Sequence, residues 1–183
     1  MSEFQVGDPG LRQFYLDYFD KLSQQEFPPD TYELICELTG WCQWLLDKLY
    51  GIVDLPENAL TEQVQLLGPR LDYFLYTSPA DFKNQLIQRS WPSDEATLFI
   101  ETLQYCQKDL QSRLKARQLE RIEVEPGRAF TPGVVNRKEA VVEPTRDPNL
   151  HDRIARLDPG DGGYTMRGKV LFPSRAVRYA CES

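Results

Sequence analysis

Apolar positions along the chain change period once, near Glu120. Before that point they recur every three or four residues, the spacing that puts them on one face of an α-helix. Leu11, Phe14, Tyr15, Tyr18, Phe19 and Leu22 form a first stripe, which "FPPD" (residues 27–30) interrupts. Leu34, Ile35, Leu38, Trp41, Cys42, Leu45, Leu46 and Leu49 form a second, closed by Gly51 and "DLPEN" (54–58). A third helix carries Leu60, Val64, Leu67, Leu71, Phe74 and Leu75. Pro69 should kink or break it, because proline lacks an N–H and crowds the preceding turn. "TSPAD" (77–81) restarts the chain, with Ser78 as N-cap of a short helix from Pro79 to near Arg89. "WPSDEA" (91–96) opens the last long helix, with Ser93 as cap and Asp94 and Glu95 where the helix dipole favours acids.

That last helix shows Phe99, Leu103, Cys106, Leu110 and Leu114, a seam against another helix. Two readings of the seam are open, a homodimer interface and packing within the chain's own bundle. After Glu120 the period becomes two. "RIEVE", "EAVVE", "RIARL", "YTM", "KVLF" and "RAVRY" read as short strands between Gly, Pro and Asp turns, as in a small sandwich or barrel. The expected fold is therefore α+β, with a helical bundle over residues 1–119 and a small all-β domain over 120–183.

Composition narrows the function classes. The chain has 183 residues, 41% of them hydrophobic and 27% charged, which suits a packed globular protein. No apolar run is long enough for a membrane span, and "MSEFQVGDPG" lacks the basic-then-apolar order of a leader, so a cytoplasmic location is expected. Residues 1–119 carry 10 Lys+Arg against 18 Asp+Glu, and residues 120–183 carry 11 against 10. An isoelectric point near 4.8 argues against general nucleic-acid binding but leaves room for a local basic patch facing an acidic protein. Cys36, Cys42, Cys106 and Cys181 form no C-x-x-C pair, and His151 is the only histidine, so neither a metal site nor a catalytic triad is expected. Asp17/Asp20 and Glu33/Glu37 read as solvated helix faces, and Trp41, Trp44 and Trp91 as packing anchors.

The stretch "GDGGYTMRGKVLFPSRAV" (160–177) has a glycine-rich front, but no helix with a Lys-Ser/Thr pair follows it, so its nucleotide-site signal is weak. Arg167-Gly168 fits a two-residue hairpin turn that pairs Met166 with Lys169, Thr165 with Val170 and Tyr164 with Leu171. The segment "GGYTMRGKVLFPSRAV" resembles the C-terminal signature of the GrpE family, the nucleotide exchange factors of DnaK-type chaperones. "LKARQLERIEVEPGRAFTP" (114–132), "EAVV" (139–142) and "LLGPRLDYFL" (66–75) are similar to further family segments, in family order. The chain departs from the pattern at Thr131, at Lys138 in place of a histidine and at Phe172 in place of an arginine. Breaks at Pro28-Pro29 and at residues 51–56 replace the family's long stalk helix.

The resemblance implies a non-enzymatic co-chaperone, without cofactor, that speeds ADP release by docking a β-wing on the chaperone's ATPase domain. It points to Tyr164, Met166, Arg167, Lys169 and Phe172 as contact residues, Lys169 foremost, and to a homodimer. The alternative is an adaptor that keeps the fold and uses its helical front to bind another protein.

Overall fold

The computed structural model describes residues 10–89 and 91–181, without the side chains at 41, 45, 81, 82, 85 and 140. The expectation of no leader rests on residues 1–9, and part of the second stripe rests on Trp41 and Leu45; both lie outside what is described. The chain is α+β, with helices first and strands last. It divides into two compact units: residues 1–55 with 77–113, and residues 56–76 with 114–183. The sequence-based boundary at Glu120 left the third helix with the helical part; by its contacts that helix belongs with the strands. The charge contrast survives the new division. The first unit holds 7 Lys+Arg against 15 Asp+Glu, and the second 14 against 13.

The first unit is built from α1 (Leu11–Ser23), α2 (Pro29–Val53), α4 (Pro79–Gln88) and most of α5 (Ser93–Ala116). Pro28 and Pro29 separate α1 from α2. Pro29 takes the first helical position, where its missing N–H costs nothing, and the Pro28 carbonyl accepts from the amides of Thr31 and Tyr32. Gly51 does not end α2, which runs on to Val53. The first bond of α5, Ala96 N–H to the Pro92 carbonyl, moves its cap one residue ahead of Ser93. Phe19, Phe27, Trp91 and Phe99 make a chain of edge-on aromatic contacts at 5.9–6.1 Å. The seam residues Phe99, Leu103, Cys106, Leu110 and Leu114 are each at most 2% exposed within the single chain, so no second copy is needed to cover them.

A carboxylate is sealed in this unit. Asp109 is fully buried, accepts from the Tyr50 hydroxyl and from Arg113 Nε at 3.0 Å, and Arg113 lies over the Tyr50 ring. Burial first, and then Asp109 itself, hold the Tyr50 hydroxyl far above its usual range, so it stays a proton donor. Among the described residues no helix is long and apolar enough to cross a membrane.

The second unit combines α3 (Glu57–Tyr76) with β1 (Leu119–Arg121), β2 (Val135–Thr145), β3 (Ile154–Arg156), β4 (Tyr164–Met166), β5 (Lys169–Phe172) and β6 (Ser174–Cys181). The strands form two three-stranded sheets, β1-β4-β5 and β2-β6-β3. The first is antiparallel throughout; in the second, β2 runs parallel to β6. Of "RIEVE", only Arg121 falls in a strand. Ile122, Val135, Ile154 and Ala176 form one buried apolar cluster, and Val170 of the first sheet packs against it.

Candidate docking site

The kink in α3 is the expected one, placed at Gly68 (φ 5°, ψ −90°) just before Pro69. The Phe172 ring lies over this glycine, 3.5 Å from where a Cβ would stand. Four residues on that side of α3 meet the first sheet. Gln65 Nε2 donates to the Leu171 carbonyl at 3.4 Å, Gly68 takes Phe172, and Tyr76 lies under the Arg121 guanidinium at 4.0 Å. The fourth, Asp72, is fully buried.

Asp72 is the hub of the unit. Its Oδ1 accepts from Arg121 Nε at 2.7 Å and the Tyr164 hydroxyl at 3.3 Å. Its Oδ2 accepts from Arg121 Nη2 at 3.0 Å, Gly160 N–H at 2.8 Å and Gly162 N–H at 3.0 Å. A buried carboxylate is tolerable only with this much compensation. The glycine-rich loop exists to give it: a side chain at Gly162 would overlap the Asp72 carboxylate, and one at Gly163 would overlap the backbone of residues 172–174. The other two loop amides are also committed, Asp161 N–H to the Asp158 carbonyl and Gly163 N–H to Ser174 Oγ. The loop is thus an anion cradle whose anion is the protein's own Asp72.

Asp161 ties the same loop to the second sheet. Its carboxylate takes Lys138 Nζ on one oxygen and Arg175 Nη2 on the other, at 2.7 Å. Lys138 also reaches Asp158, which Arg156 holds at 2.8 Å. The hydrogen bonds to Asp161 and then Asp158 keep the Lys138 ammonium above its usual range. His151, in the loop before β3, is exposed and accepts the Cys181 N–H at Nδ1.

The hairpin turns at Arg167 (φ 49°) and Gly168 (φ 75°), both left-handed as a two-residue turn of this hand requires. Met166 pairs with Lys169 and Thr165 with Val170 as expected; beyond them the register slips, and Tyr164 faces Phe172, not Leu171. The bulge brings the rings of Tyr164 and Phe172 to 5.6 Å and leaves the Leu171 carbonyl for Gln65.

The five residues expected at a contact therefore separate. Tyr164 and Met166 are 2% and 6% exposed, held inside the unit and not offered to a partner. Phe172 is half-buried over Gly68. Arg167 is exposed but paired with Glu57 at 2.8 Å. Lys169 is exposed. Asp72 and Arg121 lie outside the five residues expected from the sequence. The available signal was an acid directly after Leu71 in an apolar stripe, which one sequence cannot pair with a distant arginine. No family model, curated protein or solved structure matches this chain.

Proposed function

We propose that this protein is a cytoplasmic co-chaperone that accelerates ADP release from a DnaK-type chaperone, docking through its β-hairpin without covalent chemistry. One observation carries the reading. The segments that resemble the GrpE family, "LLGPRLDYFL", "LKARQLERIEVEPGRAFTP" and "GGYTMRGKVLFPSRAV", lie far apart in sequence, yet Asp72, Arg121, Gly162 and Tyr164 of those segments share one hydrogen-bonded cluster. The cluster fixes a hairpin whose exposed tip carries Arg167 and Lys169. A protein that binds the open ATPase domain better than the closed one shifts its population and so speeds nucleotide loss.

Stopped-flow release of a labelled ADP from the chaperones of the same cell tests this. Acceleration is expected, and Lys169→Glu should weaken it by about tenfold, since a reversed charge at an interface steers against the partner. No acceleration with any of those chaperones would sink the proposal; full activity in Lys169→Glu would sink the placement of the contact. A second reading, an adaptor, is favoured by exposed aromatics of the first unit: Tyr32 and Tyr105 are 56% and 61% exposed. Binding of a client by residues 1–55 and 77–113 with no effect on ADP release would support it.

A further inference from the structure

The segment "RIEVE" alternates like a strand, yet β1 ends at Arg121. Beyond β1 the alternation continues in the burial: Ile122 is buried, Glu123 exposed, Val124 half-buried and Glu125 exposed. Ile122 N–H still donates to the Gly163 carbonyl at 2.9 Å. After it, among the described residues, no hydrogen bond reaches the main-chain N–H or C=O of Glu123 or Val124. The segment has the pattern of a strand and no neighbour to pair with.

Gly127 (φ 82°) then turns the chain. Its N–H donates to the Ile154 carbonyl at 2.7 Å, and the Arg128 carbonyl accepts from Ile154 N–H at 2.9 Å. The turn thus satisfies β3 and leaves Glu123 and Val124 unpaired. A groove of about 660 Å³ opens beside them, within the size range of ligand sites. Val124, Val135 and Ile154 give it an apolar lining. Two of the charged residues along it, Glu125 and Arg128, pair with each other at 2.8 Å. The other two, Glu123 and Arg153, are exposed and have no ion-pair partner among the described residues. One unpaired acid and one unpaired base therefore share a groove with an unpaired length of main chain.

We infer that this groove binds an extended peptide, which pairs its main chain with Glu123 and Val124, sets a small apolar side chain against Val124, Val135 and Ile154, and offers a cation to Glu123 and a carboxylate to Arg153. Main-chain pairing supplies affinity in such a mode, and alternate side chains supply selection. As a strand, residues 123–125 span about 10 Å, so three residues of peptide match them. Two carboxylates on the groove disfavour a polyanion such as a nucleotide. The site is separate from the hairpin and does not rest on the exchange-factor reading.

NMR titration of the isotope-labelled full chain tests it. The probes are acetyl-Lys-Val-Asp-amide and the reversed acetyl-Asp-Val-Lys-amide, because strand direction sets which order meets Glu123 and Arg153. One of the two should shift the amides of Glu123, Val124, Glu125 and Arg153 to saturation. Alternate amides of a strand point to opposite edges. Methylating either the valine amide or the two flanking amides of that peptide should therefore weaken it about tenfold. Arg153 is exposed and unpaired, so Arg153→Glu should melt as wild type. It should also reverse the selection, binding the peptide with lysine in place of aspartate more tightly than the original. No saturable shift at these amides with either peptide overturns the site. Binding that survives both methylations refutes the main-chain pairing, and an Arg153→Glu protein that keeps the original preference refutes the charge assignment.

Discussion

Replacing Asp72 with asparagine should loosen α3 from the β1-β4-β5 sheet while leaving the space filled. Five donated hydrogen bonds converge on two carboxylate oxygens, two on Oδ1 and three on Oδ2. Asparagine keeps one oxygen and must turn its NH₂ toward donors at the other position. The milder arrangement puts the NH₂ on the Arg121 Nε and Tyr164 side. There the hydroxyl can turn to accept, but the guanidinium loses both that bond and its counter-charge. Breaking a buried ion pair from one side costs about 3–5 kcal/mol. Arg121 is 21% exposed, so water recovers part of this, and we expect about 3 kcal/mol. Asp72→Ala, which orphans every donor, should cost at least as much. The assay must report on the right unit. Trp41, Trp44 and Trp91 all belong to the first unit, so tryptophan fluorescence would miss the change. Urea unfolding followed by hydrogen exchange at the Gly162 and Ile122 amides reads the second unit directly. An Asp72→Asn protein within about 0.5 kcal/mol of wild type, the range of ordinary surface substitutions, would refute the hub.

Two further substitutions test separate parts of the molecule. Gly40 and Gly51 lie inside α2 with open space where a Cβ would stand. Alanine at each should therefore stabilise the first unit by about 0.5–1 kcal/mol, less at Gly51 near the helix end, seen as a higher urea midpoint by tryptophan fluorescence. A lower midpoint would show that this face is covered. For Asp158, burial would raise the carboxyl pKa, but hydrogen bonds from Lys138 and Arg156 outweigh it and hold the group below the usual carboxylate range. A carboxyl depressed on folding stabilises the native state above its unfolded pKa, and that contribution disappears as pH falls through the folded value. Asp158→Asn should therefore lower stability more at about pH 6 than at about pH 2.5, below the unfolded carboxylate range. An equal loss at both would contradict the ion-pair account.

Much of the fold was legible because it is local. Pro28-Pro29, Gly68-Pro69 and Arg167-Gly168 act on their own backbone, and each marks a break, kink or turn where the chain has one. The hairpin register was legible only as far as Thr165–Val170. Beyond it the register slips, and the Phe172 that Tyr164 then faces packs on Gly68 of a distant helix. Burial of Tyr164 and Met166 could not be read from alternation either. Period two says that neighbouring side chains point to opposite faces, but not which face is covered.

The sequence by itself determined which residues can share a face, since helical and strand periods are properties of the backbone. It therefore carried the order of elements, the change near Glu120 and the charged hairpin. Only the tertiary structure decided what each face meets. Asp72 finds its partners 49, 88, 90 and 92 residues away, and that meeting turns the glycine-rich loop into a carboxylate cradle and α3 into part of the β unit. The physical reason is the cost of burying a charge: no local rule supplies five donors, so the chain must bring them from elsewhere.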